Sequence, residues 1–206
     1  LGHSDPDVIR AIKEQVDGIA FAHTSFFSSE PAEELADMLI DAAPDDLEMV
    51  YFVSGGSEAV EAAILMARQY FVERGENGRS HYIARKLSYH GNTLAALSVG
   101  SSQYRRASVE PLLMPTSHIA PCYAYRNRDD GESEEEYGQR VANDLETEIL
   151  RVGPEKVCAF VAETVGGATA GVLTPVPGYF KRIREICDTY GVLLILDEVM
   201  CGMGRT

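Results

Sequence analysis

The sequence of 206 residues has no tryptophan, only four lysines, and no apolar run near the ~20 residues that a membrane-spanning helix needs. Acidic residues outnumber basic ones by 32 to 18, which gives a net charge of -14. So negative a chain argues against nucleic acid and against an anionic membrane as partners. A ligand that carries phosphate would have to be bound by local groups, against the field of the whole chain.

The four cysteines show no CxxC spacing, the arrangement that is typical of zinc ribbons and dithiol redox sites. Most of them lie in or beside apolar segments, where a buried free thiol is the usual state. This pattern favours a reducing, cytoplasmic setting. No metal site is predicted from the sequence.

What the sequence does have is an alternation of apolar strand-like runs with amphipathic helical patterns, in a chain that is 45% apolar. Short continuous apolar runs predict buried strands at 49–53, 158–163 and 192–196, and a further strand is predicted at 81–85. Helical spacing of apolar residues predicts helices at 4–17, 30–43, 58–73, 133–151 and 177–190. Continuous apolar strands separated by helices indicate an α/β fold, with a mostly parallel sheet covered by helices on both faces.

Local signals add detail to this outline. Ser4 is predicted to cap the first helix. The helix at 58–73 is apolar on most sides, so we predict that it is buried. The acidic run 129–136 is interpreted as a solvated loop. We expect a helical N-terminal segment at residues 1–44, ahead of a larger domain that begins at residue 45.

The turn Ser54-Gly55-Gly56-Ser57 stands between the run 49–53 and the helix 58–73. Its glycines let the backbone approach a ligand closely, and the free N–H groups of the helix start carry a partial positive charge. Together they would form an anion site, most often for phosphate, although an ordinary tight turn has the same sequence features. The turn is not a P-loop, since no Gly-Lys-Ser/Thr follows, and it lacks the GxGxxG dinucleotide pattern.

Two acidic residues are expected at one edge of the sheet, because Glu163 and Asp197 each end a predicted strand. Ligands of open α/β sheets bind beyond the carboxyl ends of the strands. A buried carboxylate needs a partner. Asp197 could pair with a protonated ring nitrogen, form a structural ion pair or cap a helix, and the residues leave these three alternatives open. Glu163 is equally compatible with a scaffold or gating carboxylate that does no chemistry.

The segment 88–93, Ser-Tyr-His-Gly-Asn-Thr, follows the predicted strand 81–85. Tyr89, beside a glycine turn, can stack on a planar ligand. His90 could act as an acid or a base, and a hydrogen-bonded structural histidine fits the sequence as well. A phosphate cradle, an aromatic stacker and a strand-end aspartate together suit a phosphorylated pyridine, whose protonated ring is an electron sink.

These motifs, in this order and at this spacing, resemble the class III (omega) aminotransferases of pyridoxal-phosphate-dependent fold type I. The resemblance extends over essentially the whole chain and rests on these segments: Leu1-Gly2-His3-Ser4, Val53-Ser54-Gly55-Gly56-Ser57-Glu58-Ala59, Tyr89-His90-Gly91, Glu163, Leu196-Asp197-Glu198-Val199 and Gly202-Met203-Gly204-Arg205-Thr206. It implies a transaminase that moves an amino group from an amine or amino acid to a keto acid through pyridoxal 5'-phosphate. It also implies a homodimer, with residues 1–44 in the small-domain or arm part and 45–206 as the first part of the large, cofactor-binding domain.

The resemblance assigns a role to each matched position. The implied cofactor-binding residues are Gly55, Gly56 and Ser57 at the phosphate, Tyr89 and Val199 on the two ring faces, Asp197 at the ring nitrogen, and His90. The implied catalytic residues are Asp197 and Glu163, the latter on the substrate side of the ring. The aromatic loop 21–29 resembles a stretch that lines the substrate pocket, with Phe26 and Phe27 as candidates.

Three departures from the family pattern bear on function. Met200 stands where many members have glutamine, and a thioether cannot donate a hydrogen bond to the cofactor as an amide does. The sequence Glu-Thr-Val-Gly-Gly at 163–167 replaces the usual Glu-Pro followed by Gln-Gly. The family's Schiff-base lysine lies downstream of Thr206, so we expect an N-terminal fragment that is inactive alone. An aminomutase of the same family and a non-catalytic incomplete domain are the alternatives that stay open.

Overall fold

The computed structural model describes residues 2–44 and 47–206, which form two compact units, one ending at Phe52 and one beginning at Val53. Leu1 of the opening motif lies outside the described residues, and so does the position at which the predicted larger domain begins. The assignment of the two parts of the chain to a small and a large domain stays a prediction.

A four-stranded sheet is the centre of the second unit. Its strands are β1 (His81–Arg85), β2 (Thr116–Ile119), β3 (Val157–Glu163) and β4 (Leu193–Asp197). They lie in the order β2-β1-β3-β4, and each neighbouring pair is parallel. All residues of β3 are buried, because this strand pairs on both sides and is covered on both faces. The predicted α/β class with a parallel sheet is confirmed.

Eight α-helices lie within the described residues. They are α1 (Pro6–Gly18), α2 (Glu30–Ala42), α3 (Gly56–Glu73), α4 (Leu94–Val99), α5 (Gln103–Arg106), α6 (Ala124–Asn127), α7 (Glu134–Val152) and α8 (Tyr179–Tyr190). The five predicted helices are confirmed, with ends that differ by up to about two residues. The short elements α4, α5, α6 and β2 were not predicted, because so few residues cannot show a period. No helix in the described ranges is both long and apolar enough to cross a membrane.

Two apolar clusters cover the two faces of the sheet. Phe160 and Ala162 of β3 belong to the cluster that includes residues of α7 and α8. Val161 belongs to the cluster that includes residues of α3 and α4. Alternate residues of the central strand therefore face opposite layers, as the pleat of a strand requires. The prediction that helices cover both faces is confirmed.

The cap of α1 differs from the prediction. Asp5, and not Ser4, accepts the backbone N–H groups of Asp7 and Val8, at 3.0 and 3.2 Å. Pro6 occupies the first helical position, where its fixed φ suits the helix and its missing N–H has no intrahelical partner to lose.

The predicted buried strand at 49–53 is wrong. No strand pairing is found in this run among the described residues, and Met49 and Tyr51 are 92% and 69% exposed. A strand needs a hydrogen-bonding neighbour as well as apolar side chains. A short apolar run does not show whether such a neighbour is available.

The helix α3 is buried on one face only, so the prediction of burial on most sides is wrong. Val60 and Ile64 are buried, whereas Leu65 and Met66 are 62% and 50% exposed. The sheet lies on only one side of this helix, and its apolar outer face has no covering layer among the described residues.

The acidic run 129–136 is a loop only in its first part, so that prediction needs correction. Residues 134–136 form the first turn of α7, which a capping box between Ser133 and Glu136 closes. Carboxylates are favourable here because the start of a helix carries a partial positive charge.

Candidate active site

A cavity of about 230 Å³ lies at the carboxyl edge of the sheet, where open α/β sheets bind their ligands. Its lining residues come from four parts of the chain: Gly56, Ser57, Tyr89, His90, Gly91, Glu163, Val165, Ala168, Asp197, Val199 and Met200. Seven of the predicted site residues are therefore brought together around one cavity.

The remaining predicted residues lie elsewhere, and four lining residues were not predicted as site residues: Gly91, Val165, Ala168 and Met200. Gly55 is the N-cap of α3, directly before the lining residue Gly56. Phe26 and Phe27 belong to the first unit, where they are 78% and 68% exposed, so their role stays a prediction. Two of these four, Val165 and Ala168, follow the end of β3. Their position after a strand that ends in Glu163 was the signal that could have identified them.

The start of α3 supplies the groups that suit an anion. Gly56 and Ser57 are its first residues, and a helix of 18 residues leaves its first N–H groups without intrahelical acceptors. Ser57 Oγ donates to Asn92 Oδ1 at 3.0 Å and accepts from the backbone N–H of Asn92 at 3.1 Å. The serine hydroxyl is thereby held in place beside a partial positive charge.

Gly91 allows the 88–93 segment to approach the start of α3. Its φ is +125°, in the region that favours glycine, and a Cβ atom there would lie 2.6 Å from Ser57 Oγ and 2.8 Å from Ser57 Cα. Any side chain at this position would push the two segments apart. The Tyr-His-Gly sequence thus needs its glycine for a steric reason.

His90 and Asp197 form a buried pair at the same edge. His90 Nδ1 donates to Asp197 Oδ2 at 2.8 Å, and the two side chains are 0% and 6% exposed. The other carboxylate oxygen accepts from the backbone N–H of Val199 at 3.0 Å. Because a carboxylate only accepts, the hydrogen lies on Nδ1 of His90. Nε2 of His90 is buried and has no hydrogen-bond partner within the part of the chain that the structure describes.

Glu163 lies next to Asp197 in the register of β3 and β4, and it is 3% exposed. Its Oε2 accepts from the backbone N–H of Tyr89 at 3.3 Å. Burial raises the pKa of the Glu163 carboxyl and nearby Asp197 adds to this, whereas His90, the Tyr89 N–H and Arg85 oppose it. A buried carboxyl with a raised pKa in a cavity is a candidate for a functional site.

The walls of the cavity are largely aromatic and apolar. The guanidinium of Arg105 covers one face of Tyr89, with Cζ at 4.6 Å from the ring centroid. Val199 packs against the start of α3, where a Cβ atom on Gly56 would lie 3.0 Å from Val199 Cγ2. Met200, which departs from the family pattern, adds a thioether to the lining.

The four lysines are distributed over the surface. Lys13, Lys86, Lys156 and Lys181 are all exposed, and none of them lines the cavity. The described residues therefore offer no side-chain amine to this cavity.

Comparison with known sequences identifies a family. The family model described as aminotransferase class-III matches residues 1–206. An uncharacterized aminotransferase of Schizosaccharomyces pombe is 52% identical over 100% of this chain and 45% of its own length. A putrescine–pyruvate aminotransferase of Pseudomonas aeruginosa is 36% identical, again over 100% of this chain and 45% of its own length. The chain thus spans slightly under half the length of the curated relatives that it matches.

Solved structures share the fold. The omega transaminase of Pseudomonas jessenii, in complex with PMP, superposes with a TM-score of 0.94 at 36% identity, over 100% of this chain and 46% of that one. An amine transaminase from an uncultivated Pseudomonas species, in a PLP-bound form, superposes with a TM-score of 0.92 at 35% identity, over 98% and 46% of the two chains. The predicted fold type I, present as part of a larger α/β domain, is confirmed.

Proposed function

The chain belongs to the class III aminotransferases, and on that premise we propose that the whole protein transfers an amino group from an amine or amino acid to a keto acid, with pyridoxal 5'-phosphate as cofactor. One observation carries the proposal: a single cavity combines the free N–H groups at the start of α3 with the buried pair of His90 and Asp197. The first group suits a phosphate, and the second suits a protonated ring nitrogen.

The residues that line the cavity fit this cofactor in chemistry. We assign the phosphate to Gly56 and Ser57, since a close backbone approach and free N–H groups are what a phosphate ester needs. We assign the two ring faces to Tyr89 and Val199, which offer an aromatic and an apolar surface. When bound, pyridoxal phosphate supplies an electron sink for the carbanion that forms next to the substrate nitrogen.

Asp197 is assigned to hold a proton on the ring nitrogen. His90 Nδ1 and the Val199 N–H each engage one of its carboxylate oxygens, which fixes the orientation of the group. A buried carboxylate favours a cation beside it much more strongly than an exposed one does. His90 is therefore a positioning residue, and Glu163 is assigned to the side of the cavity that receives the amino donor.

The test uses the whole protein supplied with pyridoxal phosphate, and it measures amino transfer from a panel of amines and amino acids to pyruvate. Asp197→Asn should lower kcat by about 100-fold or more, because an amide cannot stabilise the ring proton as a carboxylate does. Asp188→Asn is the matched control, since Asp188 lies exposed on α8 and pairs with Arg184 on the surface. A wild-type protein without transamination would contradict the proposed function. Equal rates for Asp197→Asn and wild type would contradict the role of Asp197.

We also propose that the whole protein is a homodimer. The supporting observation is the apolar outer face of α3, where Leu65, Met66 and Tyr70 are 62%, 50% and 45% exposed. Contiguous exposed apolar side chains mark association surfaces. Sedimentation of the whole protein should give a dimer, and Met66→Asp should shift it towards monomer. A monomeric wild-type protein at micromolar concentration would contradict this proposal.

Two smaller assignments complete the proposal. Phe26 and Phe27 are retained as candidates for the substrate pocket, since both are exposed aromatic side chains in a loop. Phe26→Ala and Phe27→Ala should then change KM for bulky amines more than KM for pyruvate.

A cytoplasmic setting is supported by the four cysteines, all of which are free and buried.

A further inference from the structure

Arg85 is a buried cation without an acidic partner in direct contact. It is the last residue of β1 and only 7% exposed. Among residues 2–44 and 47–206, no carboxylate oxygen lies within the 4.0 Å that defines an ion pair with its guanidinium. The group instead lies 5.9 Å from the ring centroids of both Tyr179 and Phe180. Burying an unpaired charge is costly, so its surroundings must offset that cost.

The guanidinium reaches the strand end that carries Glu163. Its NH2 group donates to the backbone carbonyl oxygen of Glu163, so a side chain from β1 anchors the last residue of β3. Arg85 and Glu163 also line the same small cavity, which is distinct from the candidate active site. Glu163 lines both cavities, so this residue connects the site with the buried cation.

Hydrogen bonds connect Arg85, through Glu163, to the backbone of the turn that contains Tyr89. The carbonyl oxygen of Arg85 accepts from Ser88 Oγ at 2.7 Å. Tyr89, the next residue, donates its backbone N–H to Glu163 Oε2 at 3.3 Å, and Glu163 in turn is anchored by Arg85. Within this turn Leu87 has a φ of +55°, which is unusual for a residue with a branched side chain. These hydrogen bonds stabilise the strained turn and so fix the position of the Tyr89 backbone.

The charge of Arg85 acts on the same carboxyl. Burial raises the pKa of the Glu163 carboxyl, and Asp197 adds to this effect. His90, the Tyr89 N–H and Arg85 oppose it, so Arg85 is one of two side chains that favour the ionised form. An ionised carboxyl accepts the Tyr89 N–H more strongly than a protonated one does.

We propose that Arg85 is a positioning residue that acts through Glu163: its guanidinium holds the end of β3 and so fixes the Glu163 carboxyl against the Tyr89 backbone. The importance of this role rests on the proposed function, because that function makes Glu163 and Tyr89 part of the cofactor and donor site. Arg85 itself touches neither ligand, since it does not line the main cavity.

The experiment follows the Glu163 carboxyl in the cofactor-free whole protein by infrared difference spectroscopy during a pH titration. The protonated carboxyl band is assigned by its loss in Glu163→Gln. In Arg85→Met, the ratio of protonated to ionised Glu163 at a fixed pH should rise over wild type, because the guanidinium no longer favours the ionised form. In Arg85→Lys, which keeps the charge, the ratio should change much less.

The matched control is Arg106→Met. Arg106 is also largely buried and donates to backbone carbonyl oxygens, those of Leu97, Ser98 and Gly100. Its removal should lower the free energy of unfolding but leave the Glu163 band unchanged. If Arg85 only stabilised the fold, Arg85→Met would likewise lower the free energy of unfolding and leave the Glu163 band unchanged.

An unchanged Glu163 titration in Arg85→Met would overturn the inference. If that variant does not fold, Arg85→Gln and Arg85→Lys replace it, and equal titrations in these two would overturn the inference equally. Because the measurement needs no cofactor, its failure counts against Arg85 alone. The failure of the wild-type protein to transaminate counts against the proposed function.

Discussion

The charged side chains at the carboxyl edge of the sheet are buried, whereas an arginine near its amino edge is exposed to solvent. At the carboxyl edge, His90 and Glu163 are 2% and 3% exposed, and each makes a specific contact with one or two neighbours. At the amino edge, Arg151 is paired with Glu148 while its own side chain is 65% exposed.

The difference lies in access to water and in what each edge is required to do. A buried charge depends on its few partners, since water cannot replace a contact that is lost. An exposed ion pair contributes little, because water and salt screen it. The carboxyl edge therefore has groups in fixed positions, as a ligand site needs. Near the amino edge, the exposed pair of Arg151 and Glu148 can be exchanged at small cost.

The strongest test of this comparison replaces one histidine at each edge. His90→Phe leaves the Asp197 carboxylate buried without its imidazole donor, so the free energy of unfolding should fall by about 4 kcal/mol. His81→Phe, at the amino edge, removes a 2.8 Å contact with Ser117 Oγ and should cost about 1 kcal/mol or less. Denaturant unfolding measures both values. His90→Asn, whose amide can still donate to Asp197, should recover part of the loss, and equal losses for the two phenylalanine variants would contradict the comparison.

A pair of glycines sharpens the comparison in steric terms. Gly91 and Gly75 both have positive φ, but a Cβ atom at Gly75 would meet nothing within 4 Å, whereas one at Gly91 would lie 2.8 Å from Ser57 Cα. Gly91→Ala should lower the free energy of unfolding by about 3 kcal/mol, since backbone strain and a clash both contribute. Gly75→Ala should cost about 1 kcal/mol, from strain alone. Losses of the same size would show that the approach of Gly91 to α3 is not tight.

The composition of the carboxyl edge could be predicted from the sequence, because parallel strands end at the same edge. Glu163 and Asp197 each end an apolar run, and the structure places them side by side in the register of β3 and β4. What the sequence could not show is the strand order. The order places β1 next to β3, which brings the Tyr89 turn to Glu163.

The partner of each buried side chain could not be predicted for a related reason. His90 and Asp197 are 107 residues apart in the chain, so only the finished fold brings their side chains together. Arg85 gave no signal either, since a single arginine at the end of an apolar run is normally assumed to reach solvent. For the run 49–53, a strand was predicted where none is found, because apolar composition was taken as evidence for a pairing partner.

Replacing one glutamate at each edge should change the free energy of unfolding by a smaller amount, with opposite signs near neutral pH. Burial raises the pKa of the Glu163 carboxyl, so this group reduces the stability of wild type as pH rises from the ordinary value of 4.5 through the raised one. Glu163→Gln should therefore be more stable than wild type above that window and equal to it below. The Arg151 guanidinium lowers the pKa of Glu148, whose contribution is present above its ordinary pKa and is lost as pH falls through the lowered value. Glu148→Gln should therefore be less stable than wild type near neutral pH, and the same sign for both variants there would contradict the comparison.

The smallest expected effect is that of salt on the exposed pair at the amino edge. Arg151→Met should lower the free energy of unfolding only slightly at low ionic strength, because the arginine of this pair is mostly in solvent. In 1 M salt the Debye length falls to about 3 Å, so the difference from wild type should disappear. The larger loss in His90→Phe should persist in the same buffer, since salt does not reach a pair whose side chains are 0% and 6% exposed. Denaturant unfolding at both ionic strengths makes the measurement. If salt reduced both losses by the same fraction, solvent access would not be what distinguishes the two edges.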